Sequence, residues 1–162
     1  MNMTPLKWPD SFVPPPPEPP RTPGAQSWLR MLWDLFLLRL PMWYPGYDTV
    51  VPYIEEQLLA RGPSDPSRWG DDPLRVRIGQ LACKLIQKEY DWPSDNFLPD
   101  DPLDVVLRFP WDDLEWVKTA MRLSTELSIG THDAMRIARE ATTLGDMVDM
   151  LAAHVQRQSG KP

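Results

Sequence analysis

Four stretches between Asp72 and Gln158 each couple an apolar stripe of helical period to a capping signal, and no segment of the chain alternates apolar and polar residues over a strand's length. Helices with one greasy face bury it against one another, so this pattern restricts the region to helix-on-helix packing. Asp72 as N-cap and Pro73 at the first helical position open LRVRIGQLACKLIQKEY, with Ile78, Leu81, Ala82, Leu85 and Ile86 on one face. Asp112, with Glu115 three residues on, forms a capping box for a second helix whose inward face reads Leu114, Val117, Ala120, Met121 and Leu127 and which Gly130 ends. Thr131 caps the short HDAMRIAREA. Thr143 and Asp146 make another capping box before LGDMVDMLAAHVQRQ, with the stripe Leu144, Met147, Val148, Leu151 and Val155. The expectation is an all-α protein with a four-helix bundle over residues 73–158.

Upstream the composition changes three times. Residues 1–26 hold nine of the 20 prolines, including the run Pro14 to Pro17, and proline supplies neither a backbone donor nor free dihedrals, so this arm is extended or disordered. As a polyproline II tract it suits a spacer first and a ligand for an aromatic groove second. Residues 27–62 form an apolar helical extension. Ser27 caps SWLRMLWDLFLLRL, which is greasy around almost its whole circumference; after the turn PMWYPGY, Thr49 caps VVPYIEEQLLAR, ended by Gly62 and Pro63. The segment 27–40 is shorter than the roughly twenty residues a bilayer crossing takes. It must be covered by this chain's other helices, by a second copy in a homodimer, or by a membrane interface, in that order of expectation. Residues 63–72 read as a linker. Between Asp91 and Pro110, four prolines and the acids Asp91, Asp95, Asp100, Asp101 and Asp104 read as a solvated connection anchored by Phe97, Leu98, Leu103, Val106 and Leu107; it lacks the glycine and closing acid of a calcium loop.

A net charge of −6 disfavours nucleic acid, which needs a concentrated basic surface. One cysteine, Cys83, cannot close an intramolecular disulfide, and the start MNMTPLKWPDS lacks a signal-peptide order, so a reducing cytoplasm is expected. Cys83 lies between apolar positions and reads as a buried structural thiol. His132 and His154 are the only histidines and stand on different helices, without a cysteine pair or HExxH; nucleotide and hydrolase motifs are missing too, so neither cofactor, metal nor enzymatic activity is expected. The eight tryptophans read as packing anchors.

Over residues 73 to about 156 the order of elements resembles acyl carrier proteins. Asp112-Asp113-Leu114 aligns with that family's Asp-Ser-Leu at the start of its second helix, and Ala141-Thr142-Thr143-Leu144-Gly145-Asp146 with its Ile-Thr-Thr-Val-Gly-Asp; Phe97-Leu98 in the preceding loop agrees. The resemblance implies a phosphopantetheine arm on the serine, but position 113 holds a carboxylate, which cannot form the phosphodiester. Asp112 and Asp113 then read as capping residues, with mimicry of the phosphate's charge as the sharper alternative. Ser94 and Ser124 lack the setting of an attachment site. The family's second helix is strongly acidic; here Lys118, Arg122, Arg136 and Arg139 interrupt that charge.

These readings converge on a non-catalytic protein-interaction module with Asp112, Asp113, Leu114, Lys118 and Arg136 as its contact surface. The resemblance implies a lipid- or polyketide-synthesis enzyme as partner. A true carrier using an unrecognised serine is the alternative, and a peripheral membrane protein the third.

Overall fold

The computed structural model describes residues 4–10, 12, 47–62, 65–108 and 113–160. The proline run, the apolar segment 27–40 with its Ser27 cap, the turn 41–46, Pro63 and Asp112 lie outside them. Among the described residues every regular element is helical: α1 (Tyr47–Leu59), a 3-10 turn (Pro66–Trp69), α2 (Pro73–Tyr90), α3 (Leu103–Val106), α4 (Asp113–Leu127), α5 (Thr131–Glu140) and α6 (Leu144–Ser159). The protein is all-α over this range.

Local chemistry explains most of the boundaries. The Asp72 carboxylate accepts from the Leu74 N–H and Pro73 follows, so α2 starts with one orphan donor satisfied and another removed. At α6 the capping box is complete: Thr143 Oγ1 accepts from the Asp146 N–H at 3.1 Å, and Asp146 Oδ2 accepts from the Thr143 N–H at 3.0 Å. Long α2 packs on both α4 and α6, and α5 packs on the same two helices. Between them lie Ile78, Ala82, Ile86, Leu123, Ile137, Leu144, Met147, Val148 and Leu151, all buried. Cys83 is buried among them, and burial pushes its thiol pKa well up, as an inert structural cysteine requires.

The same core extends beyond the bundle. Val50, Ile54 and Leu58, four residues apart on α1, are buried in one cluster with the bundle residues. Trp69, inside the stretch read as a linker, is buried against α2 at Gly79, where a Cβ would stand 2.3 Å from the indole. Arg75 Nη1 donates to the Trp69 carbonyl and fixes the turn. The 91–108 connection is sewn to the start of α6 by Leu103 N–H to the Thr142 carbonyl, Leu144 N–H to the Asp101 carbonyl and Gly145 N–H to the Pro99 carbonyl. At Gly145 a Cβ would stand 2.9 Å from that Pro99 oxygen, so glycine is needed for the approach.

Five expectations change. Thr49 is not a cap: α1 begins two residues earlier, at Tyr47, and takes in Pro52 in its second turn, where the ring removes one backbone donor. Gly130 does not end α4. Ser128 takes the left-handed conformation (φ 54°), while Gly130 is the N-cap of α5 and Thr131 its first residue, without a side-chain cap. The inward face of α4 is Trp116, Thr119, Ala120, Leu123 and Ser124, with Leu114 and Met121 facing solvent. Thr119 returns its hydroxyl to the Glu115 carbonyl at 2.9 Å, so a polar letter occupies a core position without an unpaired group. The acidic connection is not uniformly solvated, since Asp101 is fully buried and α3 forms within it.

Candidate functional site

The residues expected to make contact on α4 and α5 are distributed unevenly. Leu114, Lys118, Met121 and Thr125 follow the i, i+4, i+7, i+11 spacing of one helical face and are all exposed, Leu114 by 63% and Met121 by 55%. Lys118 Nζ lies 3.3 Å from Glu115 Oε1, and Arg122 Nε lies 2.7 Å from Glu89 Oε1 on α2. The Asp113 backbone opens α4; its side chain, like all of Asp112, lies outside the described residues. Arg136 is not brought to this face by any ion pair: its partners are Glu140, at 3.0 Å, and Asp133, both on α5. Of the two serines considered for an arm, Ser124 is buried and hydrogen-bonded to the Met121 carbonyl and the Thr131 hydroxyl, and Ser94 Oγ accepts from the Asn96 N–H.

A second constellation, invisible at the sequence level, joins segments far apart in the chain. Arg61, just beyond α1, and Asp101 are 3% and 0% exposed in their side chains and meet in two parallel hydrogen bonds, Nη1 to Oδ2 at 2.6 Å and Nη2 to Oδ1 at 2.7 Å. Two charges withdrawn from water are tolerable only when their remaining valences are filled. The Leu98 N–H donates to Asp101 Oδ2 at 2.7 Å, the Leu6 N–H donates to Oδ1 at 2.8 Å, and Arg61 donates to the Asn96 and Thr4 carbonyls. Forty residues separate the two charges in sequence, and no motif spacing connects them. The nearest hint is negative: Arg61 follows an apolar helix whose last turn carries no other basic residue.

Residues 4–10 run beside this pair. Leu6 is 1% exposed. The side-chain amide of Gln57 grips the next peptide unit from both sides, accepting from the Lys7 N–H at 3.2 Å and donating to the Lys7 carbonyl at 3.0 Å. The Trp8 indole N–H donates to Asp104 Oδ2 at 3.0 Å, and the Trp8 ring stands 5.0 Å from that of Phe12. Thr4, Lys7, Tyr53, Glu56 and Gln57 border an open groove of about 330 Å³.

Among the described residues no three His, Cys, Asp or Glu side chains come together as a metal site would require, and no helix is long and apolar enough to cross a membrane. Two surface features stand out: an α4 face that exposes Leu114 and Met121 beside Lys118 and Thr125, and the groove beside residues 4–8. No family model, curated protein or solved structure matches the chain.

Proposed function

We propose that the chain is a non-catalytic protein-interaction module related in design to acyl carriers, with a carboxylate, Asp113, where a carrier holds its phosphopantetheine serine. Its docking surface is the solvent face of α4, begun by Asp112 and Asp113 and continued by Leu114, Lys118 and Met121, with Arg136 on α5 as an outlying charge. The observation that supports this most is the exposure of Leu114 and Met121, two large apolar side chains on one helix face. Lys118 and Arg122 flank them, so the fitting partner is a protein that offers apolar side chains ringed by carboxylates. The Lys118–Glu115 pairing is a surface ion pair, which exchanges at little cost, whereas Arg122 covers Glu89, whose side chain is only 10% exposed, so Lys118 is the cation that can turn to a partner. The resemblance makes enzymes of lipid or polyketide assembly the partners to test first.

The test uses a phosphopantetheinyl transferase with coenzyme A as the probe, reading both intact mass and binding. The expected result is an unchanged mass together with measurable binding that Leu114→Asp weakens about tenfold, the effect of burying a charge in an apolar contact. A gain of one phosphopantetheine would make the chain a true carrier, and absence of binding would remove the carrier-like docking surface.

A further inference from the structure

The contacts that hold residues 4–8 are those a peptide-binding groove makes with a ligand. Four of them reach the main chain: Arg61 to the Thr4 carbonyl, Asp101 to the Leu6 N–H, and Gln57 to both the N–H and the carbonyl of Lys7. Main-chain contacts fix an extended segment in register whatever its sequence, and pockets for alternate side chains then select among segments. Here the selective positions are two apart: Leu6 fills a closed apolar hole, and the Trp8 indole reaches Asp104. Thr4, Pro5, Lys7 and Asp10 remain exposed, so the segment commits Leu6 and part of the Trp8 ring to the core.

The body beneath is nearly complete without it. Arg61 and Asp101 keep each other's double hydrogen bond, and Leu98 and Asn96 still fill a valence on each side. Gln57 keeps the Tyr53 carbonyl as an acceptor at 3.3 Å. Departure of residues 4–8 therefore leaves the ion pair intact, and it frees the Arg61 Nη2 donor, beside the groove that Arg61 lines with Thr4 and Lys7, and the Asp101 Oδ1 acceptor for the main chain of an incoming segment.

We propose that the channel between α1 and the 96–104 connection is a binding site for an extended protein segment carrying a leucine and a tryptophan two positions apart, and that residues 4–8 occupy it as a tethered, displaceable ligand of the same pattern. Tethering of this kind sets an effective concentration on the order of millimolar, so a partner segment must outcompete the chain's own. The site is separate from the α4 face and stands whether or not that face docks a carrier-type enzyme.

The probe is a synthetic fluorescein-labelled peptide of residues 3–12, added to the full-length chain and followed by anisotropy. The wild-type chain should bind it weakly. A Leu6→Asp/Trp8→Ala chain, with its own ligand disabled and its channel intact, should bind at least about tenfold more tightly, and Gln57→Ala added to that chain should abolish the gain. Trp8→Ala alone, which leaves the buried Leu6 in place and trims only a partly buried ring, replaces the double variant if that one does not fold. Equal affinity for wild-type and released chains, or binding by neither, would overturn the proposal, as would equal binding of a peptide carrying Leu6→Asp.

Discussion

The two halves of this molecule are held together by different physics. The α2, α4, α5 and α6 group rests on apolar side chains at helical spacing, and its buried polar residues Thr119 and Ser124 are uncharged and return their hydroxyls to their own helix. The amino-terminal side joins residues 4–8, α1 and the 96–104 connection around one buried ion pair, Arg61–Asp101, whose remaining valences are filled from residues 4–6 and 96–98. Loss of one contact weakens the apolar region gradually, whereas loss of one charge leaves its buried partner uncompensated. The contrast is sharpest at Asp101: Asp101→Ala strands the Arg61 guanidinium and should cost about 3–5 kcal/mol in urea unfolding. The double replacement Arg61→Met/Asp101→Leu should recover most of that loss, because a well-packed apolar pair needs no counter-charge. A loss below about 1 kcal/mol, the size of a surface pair, would end the distinction between the two halves.

That difference also governs what could be read from the sequence. Caps and stripes are local: Asp72 with Pro73, and Thr143 with Asp146, carry their meaning within four residues, and α2 and α6 follow as expected. The Arg61–Asp101 pair has no such locality, since either residue alone reads as ordinary solvated charge. The α4 face was misplaced for a third reason. Counting apolar letters favoured Leu114 and Met121, but Trp116 and Leu123 bury more surface, and Thr119 and Ser124 satisfy their hydroxyls on backbone carbonyls one turn back. Of the expected site residues, Leu114 and Lys118 do share one exposed face, whereas Arg136 pairs within its own helix.

The join between the halves can be probed at Gly79. Its missing Cβ is what admits Trp69 from the 3-10 turn, so Gly79→Ala should cost about 1–3 kcal/mol through overpacking, even though alanine favours helix. Near-neutral behaviour in thermal unfolding would mean that the 65–70 stretch is not anchored to the bundle.

Smaller effects belong to the bundle's caps. Thr143→Ala should cost about 1 kcal/mol in urea unfolding at neutral pH. The Thr143 N–H and hydroxyl, with the Thr142 N–H, hold the Asp146 carboxyl below the usual aspartate range. A depressed folded value means that its stabilisation is complete above the unfolded value of about 3.9 and is lost as pH falls through the folded one. The stability gap between wild type and Asp146→Asn should therefore narrow on acidification below about pH 4. A gap that stays constant down to about pH 2 would show that this carboxylate's charge contributes nothing.

The smallest effect tests the orientation of α4. Leu114 stands 63% exposed, so Leu114→Ala removes side chain mostly from water and should shift stability by less than about 0.5 kcal/mol. If Leu114 belonged to the inward stripe that the apolar letters suggest, the same truncation would open a cavity and cost several-fold more. Met121, one face-repeat further along and also exposed, should behave alike in the same denaturation assay. Retained stability with lost transferase binding in Leu114→Asp would then assign this leucine's exposure to recognition, since a side chain that neither packs nor docks has no reason to respond in one assay alone.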